Sequence, residues 1–317
     1  MNGSPTSGAR SRLPFALPRL GIGTAPLGGL FREVTEREAA ATLEAAAGAG
    51  ITYFDTAPRY GHGQAEERLG RLLAPAGITD PVISTKTGWL LRPEPDGSPG
   101  TVVTDWTERG IRASLESSLA RLGRSSVDIL YLHDADEYPE EVRRTAYPAV
   151  RRLRDEGLVR AIGFGMNHSG PLASYVAEFD VDVVLIAGRF SLLDHDALET
   201  LLPLCAKTGT AVVVGGVFNT GLLADPSPGA MFNYRPVPGE MLARARRCGE
   251  ICAEFEVPLA AAAIQFPFLH AAVSSVVVGC RSAAEVTANA AAYRFPIPDG
   301  LWRRLAEAGF VPPHLLG

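Results

Sequence analysis

Residues 107–133, TERGIRASLESSLARLGRSSVDILYLH, form the helix-then-strand unit that decides the fold. Four aliphatic residues recur at helical spacing and predict an amphipathic helix that ends at Gly123; they are Ile111, Leu115, Leu119 and Leu122. The run Val127–His133 that follows is almost continuously apolar, as expected for a parallel strand covered on both faces. The unit therefore predicts layered, parallel helix-and-strand architecture.

The same alternation continues along the chain. Eight short apolar runs read as strands: Leu20–Thr24, Ile51–Asp55, Val82–Lys86, Val127–His133, Val159–Phe164, Val181–Ala187, Ala211–Val217 and Ser275–Gly279. Helical patterns lie between them, among them Glu140–Glu156 and Asp194–Lys207. Eight such units predict an α/β fold of the closed (β/α)8, or TIM, barrel type, and an open doubly wound sheet is the alternative. No composition break divides the chain, so we expect a single barrel domain over residues 18–317 behind a loose N-terminal tail, residues 1–17.

Composition narrows the class of protein. The chain has 317 residues, 46% of them hydrophobic, and can bury a large core without a disulfide or metal staple. Its net charge of −5 argues against bulk electrostatic binding to nucleic acid or anionic lipid. No apolar run reaches the roughly 18 residues that span a bilayer. The four cysteines form no C-x-x-C pair, which predicts buried, reduced thiols in a cytoplasmic protein; they are Cys205, Cys248, Cys252 and Cys280. The oligomeric state stays open.

Titratable residues stand at the carboxyl ends of three neighbouring predicted strands. Asp55, Lys86 and His133 each follow a buried-type run directly. Buried charges cost several kcal/mol unless they are paired, and the carboxyl ends of barrel strands meet on one face. These three side chains are therefore expected to converge there and to satisfy one another. His133 and Asp134 lack the further ligands that a metal site needs, so no metal is predicted.

Tyr60 lies five residues beyond Asp55 and adds a proton donor to this group. A neighbouring Lys86 ammonium stabilises the phenolate and is expected to lower the pKa of Tyr60 toward the working pH. Asp55 would hold the lysine, and His133 could hydrogen-bond a substrate oxygen. The set predicts general acid–base catalysis without a nucleophile.

At these residues the sequence resembles the aldo-keto reductases. The matching motifs run from about Leu20 to Leu305: Leu20–Thr24, Gly50–Ala57 with Tyr60-Gly61, Glu67, Leu69-Gly70, Ser84–Lys86, Leu122-Gly123, Val127-Asp128, His133, Arg160–Gly165 with Asn167, and Val277–Ser282 with Asn289. The resemblance implies a (β/α)8 barrel that binds NAD(P)(H) without a Rossmann domain, and the chain has no strand–GxGxxG–helix fingerprint. It also implies Asp55, Tyr60, Lys86 and His133 as the catalytic residues.

The resemblance further implies a set of cofactor-binding residues: Gly23, Thr24, Asn167, Arg189, Phe218, Asn219, Leu222, Gly279, Arg281, Ser282, Glu285 and Asn289. Two departures from the common pattern are Met166 in place of a serine before Asn167, and Arg189 in place of a glutamine. Many NADP-preferring members place an arginine where this chain has Glu285. A carboxylate repels a 2′-phosphate, which favours NAD, whereas Arg281 is the contrary indication.

Four further stretches resemble one branch of the family: Asp105-Trp106 before Gly110–Arg112, Leu132–Asp136, Ala187–Leu193 and Gly215–Asn219. This branch is the aldose 1-dehydrogenases, namely L-fucose and D-threo-aldose dehydrogenases, with pyridoxal 4-dehydrogenase as a near relative. This branch implies oxidation of a sugar hemiacetal to a lactone, with Trp89, His62 and Phe31 lining the pocket for a small-molecule substrate. Trp89 belongs to the first of two long loops that follow predicted strands, Thr87–Thr104 and Leu223–Pro238. The alternatives are an aldehyde or ketone reductase of a specialised biosynthetic or pyridoxal pathway, and a non-catalytic regulatory barrel that only binds cofactor.

Overall fold

The computed structural model describes residues 11–92 and 100–317 and contains a closed barrel of eight parallel strands. The barrel strands are β1 Leu20–Gly23, β2 Tyr53–Asp55, β3 Val82–Thr87, β4 Val127–His133, β5 Val159–Met166, β6 Val183–Ala187, β7 Ala211–Gly215 and β8 Val273–Gly279. Each strand pairs with its neighbours in the chain, and β1 pairs with β8 to close the barrel. The predicted (β/α)8 architecture and all eight strands are confirmed.

Helices surround the barrel. They are α1 Glu36–Gly48, α2 Gln64–Leu72, α3 Glu108–Leu122, α4 Tyr147–Asp155, α5 Ser169–Glu178, α6 Leu201–Thr208, α7 Gly239–Glu254, α8 Leu259–Gln265, α9 Ala283–Arg294 and α10 Asp299–Glu307. Gly123 ends α3 in the left-handed conformation, with φ 63°, where a side chain on Cβ would be strained. Single turns occur at Pro26–Gly28, Ala135–Glu137, Pro139–Glu141, Asp196–Leu198, Phe266–Leu269 and Pro313–Leu316.

Two predicted helices are interrupted, and a proline accounts for each break. The segment predicted as one helix over Glu140–Glu156 passes through a π-helical turn, Val142–Ala146, before α4. Pro148 lacks the N–H that an uninterrupted α-helix would need there. The segment Asp194–Lys207 splits into a 3₁₀ turn and α6, and Pro203 sits in the first turn of that helix, where its missing N–H costs nothing.

The two long loops contain short antiparallel hairpins at the carboxyl-terminal mouth of the barrel. Trp89–Arg92 pairs with Thr101–Thr104 after β3, and Met231–Phe232 pairs with Arg235–Pro236 after β7. Both loops therefore carry backbone hydrogen bonds of their own, which sequence patterns did not predict. Residues 93–99, which the first loop also includes, lie outside the described residues.

The amino-terminal segment covers the opposite end of the barrel. Leu13, Phe15 and Leu17 pack against the side chains that fill the barrel interior, and Arg12 N–H donates to Gly209 O at 2.9 Å. Residues 11–17 are therefore packed, and the expectation of a loose tail is not met there. Residues 1–10 of that expected tail lie outside the described residues.

The four cysteines are free and buried, as predicted. Within residues 11–92 and 100–317, no group of three or more His, Cys, Asp or Glu side chains is placed to hold a metal ion. In the same part of the chain no single helix is long and apolar enough to cross a membrane. The pair Gly239–Glu254 and Leu259–Leu269 meets the length and composition criteria only when taken together, across a 101° bend.

Candidate active site

The mouth of the barrel brings Asp55, Tyr60, Lys86 and His133 together. Lys86 Nζ donates to Asp55 Oδ2 at 2.7 Å and to Tyr60 Oη at 3.1 Å. Its third hydrogen bond goes to Thr56 O at 2.8 Å. Since an ammonium has three donors, Lys86 is fully satisfied although it is only 2% exposed. Asp55 is 3% exposed, so the two charges are paired in the interior.

Two buried hydroxyls, those of Ser84 and Tyr53, form a chain of hydrogen bonds to the Asp55 carboxylate. Ser84 Oγ donates to Asp55 Oδ1 at 2.7 Å, and Tyr53 Oη lies 3.0 Å from Ser84 Oγ. Gly21 makes room for this chain of hydrogen bonds, because a Cβ there would stand 2.4 Å from Tyr53 Cδ1. Sequence reasoning missed Ser84 and Tyr53. The signal was available, since each lies two residues before a catalytic candidate on its strand and therefore on the same face.

The pKa values of Tyr60 and Lys86 follow from burial and from their contact. Burial raises the pKa of Tyr60, and the Lys86 ammonium lowers it by less, so the net direction is upward. The predicted effect of Lys86 has the right sign, but the predicted net lowering is wrong for the structure because desolvation of the phenolate outweighs it. For Lys86, burial lowers the pKa, but attraction to Asp55 and Tyr60 outweighs burial and the pKa is raised. Lys86 is therefore charged and Tyr60 protonated near neutral pH.

His133 faces the ring of Tyr60 edge-on, with ring centroids 6.2 Å apart. Burial, followed by the charges of Lys86 and Arg59, holds the pKa of His133 well below its usual value. The imidazole is therefore neutral at neutral pH and can donate one hydrogen bond to a substrate oxygen. Trp89 Nε1 donates to His133 O at 2.9 Å and anchors the end of β4.

The three residues predicted to line the substrate pocket lie in loops at the mouth. Trp89 is half-buried, and the Arg59 guanidinium covers one face of its indole at 4.1 Å. Phe31 is exposed and stacks on Tyr234 with centroids 6.1 Å apart. His62 is exposed, with a left-handed φ of 52°. Arg59 and Tyr234 were not predicted; Tyr234 belongs to the second long loop noted in the sequence.

Strained backbone is concentrated in these loops. Among the described residues, eight non-glycine residues have a positive φ, and seven of them lie in loops that follow barrel strands at the mouth: Phe31, His62, Asp134, Asn219, Thr220, Asn233 and Tyr234. Such conformations cost free energy and persist where surrounding structure over-determines them, as at ligand sites. The strained backbone of the barrel is therefore concentrated at the mouth, as expected for a ligand site.

The adenosine side of the expected cofactor site lies at the start of α9. Ser282 caps this helix by accepting from Glu285 N–H at 3.3 Å. Glu285 accepts from Arg281 N–H at 2.9 Å and also stands 3.0 Å from Arg281 Nε. Asn289 Nδ2 lies 3.3 Å from Cys280 Sγ. Glu285 thus neutralises the charge of Arg281, the residue whose presence favoured binding of the 2′-phosphate of NADP.

The residues expected on the nicotinamide side follow β5, β6 and β7. Asn167 is exposed, and its main-chain carbonyl accepts a hydrogen bond from Arg189 Nε at 2.9 Å. Arg189 is also ion-paired with Asp194 at 3.1 Å, so it positions Asn167 from within the protein. Phe218, in the loop after β7, is half-buried. Gly23 of β1 pairs with Gly279 of β8. Neither residue has a side chain, so the backbone is uncovered between the expected nicotinamide and adenosine sides.

Three residues expected to bind cofactor are buried within the protein instead. Leu222 is 0% exposed and packs in the core. Asn219 is 1% exposed, and its side-chain amide bonds Ser191 Oγ and Gly188 O. Thr24 is 0% exposed and donates through Oγ1 and N–H to Asp55 O. These residues hold the loops around the site and have no free surface for a ligand.

The remaining residues fit an extended dinucleotide. A capped helix N-terminus offers backbone N–H groups to phosphate, and the Gly23–Gly279 pair has no side chains that would block close approach. Asn167 is exposed, and among the described residues its side-chain amide makes no hydrogen bond. The arrangement suits hydride transfer coupled to proton transfer at Tyr60.

Comparisons with known proteins agree with this arrangement. The model of the Aldo/keto reductase family matches residues 19–309. The D-threo-aldose 1-dehydrogenase of a Pseudomonas species is 43% identical over 98% of this chain and 99% of its own length. The pyridoxal 4-dehydrogenase of Microbacterium luteolum is 38% identical over 96% of this chain and 97% of its own. The solved glycerol dehydrogenase of Gluconobacter oxydans has the same fold, with TM-score 0.76 at 22% identity over 96% of each chain.

Proposed function

Because the chain belongs to the aldo/keto reductase family, we propose that it is a dehydrogenase that oxidises the anomeric hydroxyl of an aldose to a lactone. The protein is an NAD(P)(H)-dependent oxidoreductase of small molecules. The observation that carries the aldose assignment is the 43% identity, over almost the whole of both chains, with a D-threo-aldose 1-dehydrogenase. Residues 18–317 act as one catalytic domain, and the free thiols suit a reducing cytoplasm.

The four residues at the mouth have complementary roles in this proposal. Bound NAD(P)⁺ supplies the hydride acceptor, at C4 of its nicotinamide. In its ionised form, Tyr60 takes the proton of the sugar hydroxyl at Oη and becomes neutral. Lys86 stabilises the Tyr60 phenolate before this transfer. Asp55 holds Lys86 in place, and His133 donates to the reacting oxygen and orients it. In carbonyl reduction the same atoms act in reverse, with Tyr60 as the proton donor.

Pyridoxal is the second candidate substrate, because a pyridoxal 4-dehydrogenase is 38% identical over 96% of this chain. The catalytic residues serve either substrate, so only a substrate comparison separates the two proposals. Carbonyl reduction of a simple aldehyde or ketone uses them as well.

A substrate panel tests the proposal. NADH formation is measured with L-fucose, D-arabinose, L-galactose and pyridoxal, and NADH consumption with simple aldehydes and ketones. We expect kcat/KM to be highest for one of the sugars. Oxidation of pyridoxal alone would support the second candidate. Carbonyl reduction without oxidation of any hemiacetal would refute both.

Cofactor preference is expected to favour NAD over NADP, and the ion pair of Glu285 with Arg281 supports this. Replacing Glu285 by glutamine removes the charge that repels a 2′-phosphate and frees the Arg281 guanidinium. The NADP/NAD ratio of kcat/KM should rise about tenfold, the value of one charge-assisted hydrogen bond of roughly 1.4 kcal/mol.

The matched control is Glu307→Gln. The carboxylate of Glu307 lies 3.9 Å from Arg304 and does not pair with Arg281. It should leave the ratio unchanged. A wild-type enzyme that already prefers NADP would contradict the assignment to NAD.

A further inference from the structure

The ion pair of Asp134 and Arg59 stands at the mouth, beside His133. Asp134 follows His133, and its Oδ2 lies 3.7 Å from His133 Nε2. The same oxygen lies 3.0 Å from Arg59 Nη1. Neither residue belongs to the four catalytic candidates, yet Arg59 precedes Tyr60 and Asp134 follows His133 in the chain.

The backbone holds the Asp134 carboxylate in this position. Asp134 has φ 50° and ψ 51°, the left-handed region, and its N–H donates to Gly165 O at 3.0 Å. Aspartate and asparagine tolerate this region better than other side chains do. A continuing extended strand would turn the side chain elsewhere, so the strained conformation is what places the carboxylate next to His133.

Arg59 is held by stacking as well as by charge. Its guanidinium lies 4.1 Å from the ring centroid of Trp89, and the indole N–H of Trp89 is bonded to His133 O. Trp89 therefore ties the position of Arg59 to the end of β4. The side chains of Arg59 and Asp134 are 39% and 35% exposed, so both still reach the mouth.

The pair has hydrogen-bonding capacity left for a ligand. Within residues 11–92 and 100–317, Asp134 Oδ1 accepts no hydrogen bond, and Arg59 donates only through Nη1. A free carboxylate oxygen beside free guanidinium N–H groups offers an acceptor next to donors. Two adjacent sugar hydroxyls match this arrangement, because each hydroxyl can both donate and accept. A carbonyl compound without further hydroxyls brings no donor to Asp134.

We propose that Asp134 and Arg59 form the subsite that selects polyhydroxylated substrates, binding hydroxyls on the carbons next to the reacting one. The proposal deepens the proposed function and rests on the same catalytic site. Charge-assisted hydrogen bonds of this kind discriminate strongly against ligands that lack the hydroxyl, since the site is then left with unpaired polar groups.

The test compares glyceraldehyde with propanal, which have the same carbon chain and differ in the two hydroxyls. The ratio of kcat/KM for glyceraldehyde over propanal reduction is measured for the wild type and for Asp134→Asn, which keeps the left-handed backbone and the shape. We expect the variant to lower this ratio about 10–100-fold, through KM for glyceraldehyde, with propanal changed by less than about twofold. Arg59→Gln should act in the same direction.

Asp136→Asn is the matched control, because its carboxylate bonds His168 at 2.6 Å instead of Arg59. It should leave the ratio unchanged. A parallel loss with both substrates in Asp134→Asn, or an unchanged ratio, would overturn the proposal. The ratio is measured in the direction of reduction, so it decides the role of Asp134 even if the sugar panel shows no aldose oxidation.

Discussion

Replacing Tyr60 by phenylalanine is expected to lower kcat about 10²–10⁴-fold in both directions, the usual contribution of a positioned acid or base. Tyr60 Oη is 3.1 Å from Lys86 Nζ and stands opposite His133, and no other hydroxyl takes this position among the described residues. The ring remains in the variant, so the surrounding packing is kept. The dissociation constant for NADH, followed by quenching of protein fluorescence, should not change.

Tyr147→Phe is the control for Tyr60→Phe. The Tyr147 hydroxyl donates to Asp180 O at 3.0 Å and accepts from Asp180 N–H at 2.9 Å, in contacts that lie outside the mouth. Its loss should leave kcat unaltered. Unchanged turnover in Tyr60→Phe would remove Tyr60 from proton transfer, and a wild type that binds NADH without any turnover would favour the non-catalytic regulatory barrel.

Replacing Lys86 by methionine is expected to lower kcat at least about 10²-fold and to move the pH profile. Burial raises the pKa of Tyr60 and Lys86 opposes that rise, so removing the ammonium raises the pKa of Tyr60 further. Oxidation needs an ionised Tyr60, so its rate should increase with pH and reach its plateau at a higher pH in the variant. Reduction needs the protonated phenol, so it should persist to higher pH.

The same variant leaves the Asp55 carboxylate buried without its partner, which costs about 3–5 kcal/mol of stability. The double variant Lys86→Met with Asp55→Asn removes both charges and separates stability from catalysis. In thermal unfolding, we expect the double variant to regain most of the Tm that Lys86→Met loses. Its kcat should stay low. Recovery of kcat, or a pH profile identical to that of the wild type, would contradict the role assigned to Lys86.

Three members of the catalytic group could be predicted because each carries a local signal, and Tyr60 was added because it lies five residues beyond Asp55. Asp55, Lys86 and His133 end apolar runs, and parallel strands place such ends on one face. Their supports could not be predicted in the same way. Ser84 and Tyr53 look like ordinary strand residues until the register of β2 against β3 sets Ser84 beside Asp55.

Other expectations failed where the outcome depends on packing. Leu222 and Asn219 stand at positions that suggest a cofactor loop, but their side chains are consumed by the core and by Ser191. The pKa of Tyr60 is raised above its ordinary value, not lowered as expected, because the loops around the phenol bury it. Neither burial nor hydrogen-bond satisfaction can be derived from a short stretch of residues.

By itself, the sequence determined the eight-stranded barrel and the identity of its four catalytic candidates. Apolar periodicity and the residue at the end of each strand are properties of a few neighbouring positions, so they can be recognised before the chain is folded. Only the tertiary structure decided which polar atoms remain free for a ligand, the direction of the pKa shift of Tyr60, and the pairing of Asp134 with Arg59. The physical reason is that desolvation and hydrogen bonding at one atom depend on groups from segments distant in the sequence, which meet only in the closed barrel.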